Sequence, residues 1–287
     1  QKLFFIFSGT GGALPPPMRF AIYSFPFPPG GDPETTALSD GSEAFASPGE
    51  QPPDASSASN GVSTISGGTL SGIAPAASAA FTSFIFGYFL KYALDSRATT
   101  PDRTAYILGQ STENPFDIME ADAHRLVTFG ADVLAIPCNT AHYFYDKLEQ
   151  TAGVPILNMV EETVLHVKKR GVKKPALLAT TGTVAAKTYQ RMFEKHGMQF
   201  AVPDEAHQAM VMQLIYGDIK QGKRADMAVF EAVAAHMRAQ GCDGAILGCT
   251  ELSLIKRDEH LGAFFTDSME VLCRCAIETF GKTPTGF

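Results

Sequence analysis

From about residue 91 to the C-terminus, short and wholly apolar runs alternate with longer stretches whose apolar residues recur every three or four positions. Residues 133–136, 155–158, 176–179 and 244–248 are runs of the first kind, bounded by Gly, Pro or polar residues. They read as parallel strands covered on both faces. Between them the spacing predicts helices over 117–129, 140–149, 161–169, 186–196 and 224–239. Gly130, Gly171, Gly197 and Gly241 stand just past four of these helices, where a left-handed residue closes the last turn. Strands alternating with helices specify an open α/β fold.

The first part of the chain is written differently. From Gly9 to about Ala74 it is dense in Gly, Pro, Ser and Ala, a composition that buries too little to offset its ordering entropy, and it is expected to be mostly loop. Residues 3–7 are apolar and follow one lysine without a small-residue cleavage site, so they read as a first buried strand rather than a leader. The sequence thus divides into a low-complexity region over 1–74, a first unit over 75–154 rejoined by 265–287, and a second unit over 155–264.

Composition narrows the function. A formal net charge of −7 supplies no basic face for nucleic acid or an anionic membrane, and no apolar run is long enough to span a bilayer. The five cysteines show no zinc-type pairing and no histidine cluster completes a four-ligand set, so no metal is expected. Free thiols fit a reducing, cytoplasmic setting.

Two cysteines have a common address. Val133-Leu134-Ala135-Ile136-Pro137-Cys138-Asn139-Thr140 and Gly244-Ala245-Ile246-Leu247-Gly248-Cys249-Thr250-Glu251 share one plan, an apolar strand followed by a small residue, a cysteine and a helix or turn. In an open α/β sheet ligands bind beyond the carboxyl ends of strands, and the helix start that follows favours a thiolate and can hold a carboxylate. A lone post-strand cysteine reads first as a small buried hydrophobe. Twinning reverses that reading for Cys138 and Cys249, whereas Cys242, Cys273 and Cys275 keep it.

Pro137-Cys138-Asn139-Thr140-Ala141-His142 and Gly248-Cys249-Thr250-Glu251-Leu252 resemble the two signature motifs of the pyridoxal-phosphate-independent aspartate/glutamate racemase superfamily. His142 and Glu251 resemble its aspartate racemase branch. The stretch from Pro101 to Leu108, the stretch from Ile215 to Lys220, and Thr180-Thr181-Gly182-Thr183 are similar to family segments that contact substrate. The resemblance implies two similar doubly wound parallel-sheet domains with the active site in the cleft between them, no cofactor, and a homodimer. It implies aspartate racemisation, with glutamate or broader specificity as the alternative and a catalytically impaired binding relative as the alternative from another class. Lone-cysteine relatives include decarboxylases; two thiols argue against that.

The implied chemistry is self-consistent. Inverting an α-carbon without a cofactor requires one group to remove a proton and another to deliver one on the opposite face, which one thiolate and one thiol do symmetrically. Asn139, Thr140, Thr181 and Thr250 are the candidate donors for the α-carboxylate. Arg103 can grip a carboxylate bidentately and Lys220 can add a point charge, which makes the substrate a small dicarboxylic amino acid. Arg103 reads alternatively as part of a helix cap, and Lys220, with Lys223 and Arg224, as a solvated helix end. His142 lies where it can tune Cys138 or reach the distal carboxylate and reads equally as a packed surface histidine, and Glu251 lies where it can orient a ligand group, depress protonation of a neighbour or cap a helix. The family's glycine-rich substrate loop matches residues 8–12 or residues 66–78.

Overall fold

The computed structural model describes residues 99–285 throughout and, before them, the backbone of strands β1 (Phe4–Ile6), β2 (Ser8–Gly9), β3 (Phe20–Tyr23), β4 (Val62–Ser63) and β5 (Leu90–Asp95). Most of the low-complexity region, the start of the first unit near Pro75, residues 10–12 of one candidate glycine loop and all of the other lie outside the described residues.

In the first sheet, β3, β6 (Val133–Ala135) and β7 (Ile156–Leu157) run parallel, pairing Ala21 with Leu134 and Leu134 with Ile156. The strand expected over residues 3–7 is present as β1, but it runs antiparallel to β3 and β5. The parallel neighbour of β6 is β3 instead, inside the stretch read as loop. Its apolar signal is four residues long and sits among prolines, too brief to register against that background.

The second sheet has the order β10-β9-β8, all parallel: β8 (Pro175–Ala179), β9 (Gly244–Gly248) and β10 (Phe265–Asp267). Ala201 bridges to Ala176 at its open edge. Successive side chains of a strand point to opposite faces, and both faces are packed here. Leu177 and Ile246 join Val160, Val164, Tyr189 and Phe193 in one core. Ala176, Leu178, Ala245 and Leu247 join Leu214, Phe230, Val233 and Met237 in the other. Helices α4 (Met159–Lys169) and α6 (Thr188–Lys195) cover the first face; α7 (Glu205–Met212), α8 (Met227–Ala239) and α9 (Thr250–Asp258) cover the second. This is the doubly wound arrangement the resemblance implies, built on the open α/β pattern of the apolar runs, and each buried Leu, Ile or Phe contributes about 1.5–3 kcal/mol.

The first unit adds α1 (Arg103–Ile107), α2 (Pro115–Thr128), a 3-10 turn over Thr140–Phe144 and α3 (Tyr145–Thr151). Helices α2 and α4 begin two residues earlier than the spacing predicts, because the Asn114 and Asn158 side chains accept from Phe116 N, and from Val160 N and Glu161 N, respectively. The helix predicted over 186–196 is α6, and a separate short helix, α5 (Thr181–Ala185), precedes it. Gly130, Gly171, Gly197 and Gly241 all adopt positive φ, between 64° and 88°, as the C′ reading requires.

Two boundaries shift. Strand β7 pairs with β6, so the first sheet reaches Leu157 rather than stopping at 154. Strand β10 pairs with β9, so residues 265–267 belong to the second sheet, and the chain returns to the first unit only with α10 (Ser268–Thr279), whose Leu272 and Ala276 enter that unit's core. Strands of two and three residues carry no signal of which sheet they join. Among the described residues no helix is long and apolar enough to cross a membrane.

Candidate active site

Cys138 follows β6 and Cys249 follows β9; their residues are 4% and 5% exposed. The sulfurs are held in opposite senses. Ala141 N, at the start of the 3-10 turn, donates to Cys138 Sγ at 3.3 Å. A backbone donor aimed at sulfur stabilises negative charge there. Cys249 Sγ instead donates to Glu251 Oε2 at 2.7 Å, and Thr250 Oγ1 donates to the same oxygen at 3.3 Å. In these two hydrogen bonds Cys138 Sγ accepts and Cys249 Sγ donates.

Hydrogen bonds tie the two motifs together. Asn139 Nδ2 donates to Ser268 Oγ at 3.0 Å, and Ser268 Oγ donates to the Leu247 carbonyl at 2.8 Å, two residues before Cys249. Tyr189 Oη donates to Asn139 Oδ1 at 2.7 Å. The Thr140 hydroxyl lies 3.1 Å from that of Thr180 and 2.9 Å from that of Thr183, and Thr104 Oγ1 donates to Thr180 Oγ1 at 3.3 Å. The Thr104 backbone also approaches so closely that a Cβ on Gly182 would meet its Cα at 2.8 Å. Only glycine permits that contact between α1 and α5.

The cationic groups complete the circuit. Asp102 caps α1 through Ala105 N and accepts from Tyr216 Oη at 3.1 Å, while Lys220 Nζ lies 3.9 Å from Asp102 Oδ2 and 3.5 Å above the Tyr216 ring. Burial disfavours the Lys220 charge, but the field of Glu251, then of Tyr216 and Cys249, outweighs it and raises the ammonium above the ordinary lysine pKa. A turn of π-helix over Gln213–Asp218 brings Tyr216 and Lys220 into this position. Arg103 is buried at the first position of α1, with Nη1 donating to the Pro101 carbonyl at 2.6 Å and the Thr100 carbonyl at 3.3 Å. Thr181 N donates to Met212 Sδ at 3.3 Å, fixing α5 against α7.

His142 is engaged with the Cys138 backbone. Its Nδ1 lies 2.8 Å from the Cys138 carbonyl and its Nε2 accepts from Met159 N at 3.1 Å, so backbone partners engage both nitrogens of a buried ring. It is a positioning residue that fastens the Cys138 turn to the start of α4. Asn139, expected to meet substrate, commits its amide oxygen to Tyr189 and one N–H to Ser268.

Burial lowers the His142 pKa to about 4. With the folded value below the unfolded one, His142 contributes stability above its ordinary pKa near 6.5, and that contribution is lost as pH falls toward about 4. Asp122 and Asp267, raised to about 6 by burial, act in the opposite sense: their contribution is present below their ordinary value and is lost as pH rises through about 6. Urea unfolding at pH 7 and pH 4.5 is therefore expected to show a smaller acid loss of stability in a His142→Gln variant than in the parent, by up to about 3 kcal/mol.

The family model described as Asp/Glu/Hydantoin racemase matches residues 71–276, which include both cysteine motifs. The chain belongs to this family. The broad specificity amino-acid racemase RacX of Bacillus subtilis is 30% identical over 164 residues, covering 55% of this chain and 69% of that protein. The glutamate racemase of Persephonella marina is 26% identical, over 54% of this chain and 63% of its own length. Among solved structures, the Picrophilus torridus aspartate racemase superposes with a TM-score of 0.57 at 26% identity, covering 67% of this chain and 80% of that one. Family and relatives together make the chain an amino-acid racemase.

For this racemase the sequence motifs reached Thr104, Thr180, Thr183 and Tyr216 only as members of longer segments and missed Tyr189 and Ser268. Thr180 and Thr183 flank the singled-out Thr181, and Tyr216 lies in the segment singled out for Lys220, so those had a local signal. Tyr189 and Ser268 reach Asn139 from distant elements and had none.

Proposed function

We propose that this racemase interconverts L- and D-aspartate by proton transfer between Cys138 and Cys249, without a cofactor. The observation that carries the reading is the opposite polarity of the two sulfurs, Cys138 accepting from a backbone amide and Cys249 donating to Glu251. In one direction the Cys138 thiolate removes the α-proton and the Cys249 thiol delivers its own proton to the opposite face. The thiols exchange roles for the return reaction, so protons balance over a full cycle. The α-carboxylate is held while negative charge develops on the α-carbon, and Thr140, Thr181 and Thr250 are the donors for it. Arg103 and Lys220 supply two cationic groups for a substrate with two carboxylates.

Glu251 in the second motif and the likeness to an aspartate racemase favour aspartate. Broader specificity is favoured by one observation, the 30% identity to a broad specificity racemase. Chiral chromatography of L-aspartate and L-glutamate incubations separates them: aspartate is expected to show at least a 10-fold higher kcat/KM, about 1.4 kcal/mol of discrimination. A glutamate preference would overturn the specificity, and equal rates would favour the broad reading.

A further inference from the structure

A second group of chemistry-bearing side chains lies outside the thiol circuit, where the first turn of α7 meets the last turn of α8. Asp204, the N-cap of α7, has Oδ1 2.7 Å from His207 Nδ1 and Oδ2 3.3 Å from His236 Nε2. The two imidazoles stack with centroids 3.6 Å apart, and one donor atom from each of the three residues lies within 4.8 Å of the others. The Gln240 amide lies 2.7 Å from the same His236 nitrogen. With its oxygen turned inward, that amide would be a fourth ligand.

We propose that Asp204, His207 and His236 form a divalent transition-metal site, distinct from the racemisation centre. Two imidazoles and a carboxylate are a donor set for a borderline cation such as Zn²⁺, Ni²⁺ or Co²⁺ rather than for Mg²⁺ or Ca²⁺. A tetrahedral ion with ligands at about 2.0–2.2 Å needs donor atoms roughly 3.3 Å apart, so closing the cluster takes donor-atom shifts of about 1.5 Å or less together with a turn of the two rings out of their stack, which aims both lone pairs at one point. The half-buried histidines and the exposed carboxylate leave an entry path for the ion. A bound ion would pin the start of α7 to the end of α8. The ligands come from separate helices and lack the short cysteine–histidine spacings that mark a metal site in sequence, so the sequence by itself points to no metal.

The test is titration of the full chain with ZnCl₂ by calorimetry and with CoCl₂ by visible absorption, on the parent, His207→Ala, His236→Ala, and a Cys138→Ser/Cys249→Ser double variant. One ion per chain is expected. Each histidine substitution should weaken binding by more than about 100-fold, with circular dichroism unchanged, while the cysteine double variant binds as the parent does. No binding tighter than millimolar, or binding that survives the histidine substitutions and disappears with the cysteines, would overturn the proposal.

Discussion

Replacing Cys138 or Cys249 by serine is expected to abolish measurable racemisation in either variant, lowering kcat by about 10²–10⁴-fold in both directions. A hydroxyl is a far weaker acid than a thiol. The serine replacing Cys138 therefore has no accessible anion to remove the α-proton, and the serine replacing Cys249 cannot readily deliver one. Serine is smaller than cysteine and hydrogen-bonds at the same points, so the amide of Ala141 and the carboxylate of Glu251 keep partners and the fold should be preserved. Both losses must appear if each enantiomer meets one sulfur as base and the other as acid, as the proposed mechanism requires. Chiral chromatography of both enantiomers, with matched thermal melts, checks this. Retention of activity in either variant would remove the two-thiol account.

The second large effect is expected at Lys220. Lys220→Ala should raise KM for aspartate by about 10²-fold with a smaller change in kcat, a loss of about 3 kcal/mol of binding to a charged group. The reason is electrostatic: the ammonium lies within the fields of Glu251 and Cys249 and against the Tyr216 ring, where burial strengthens its pull on a distal carboxylate. Lys220→Arg should recover part of the affinity, because charge is kept while the geometry changes. Steady-state kinetics on the three proteins separates binding from chemistry, and an unchanged KM in Lys220→Ala would take the distal-carboxylate role from this residue.

Much of the second unit is legible in the sequence, and the reason is local. Strands β8 and β9 are apolar along their whole length because both faces are covered, so they stand out without any knowledge of their partners. Cys249 is legible for the same reason, since the strand that ends at Gly248 delivers it to the edge of the sheet. The first unit is less so. Strand β3 is four residues in proline-rich surroundings, and its pairing with β6 is a tertiary fact. His142 shows the limit most clearly: its place four residues after Cys138 leaves that cysteine, the substrate and surface packing equally open, and only the fold brings it to the Cys138 carbonyl and the distant Met159 amide. Ser268 joins the two motifs from the start of α10, over a separation that no periodicity reveals.

Proton transfer between two thiols is tested most directly by incubating the parent protein with L-aspartate in D₂O and following the α-position of each enantiomer by NMR and chiral chromatography. The thiol that delivers the new proton equilibrates with solvent, so the D-aspartate formed in the first turnovers is expected to carry deuterium while the remaining L-aspartate keeps its protium. D-aspartate that retains the original proton would contradict transfer between two separate groups, and absence of exchange with every acidic amino acid would contradict racemisation itself.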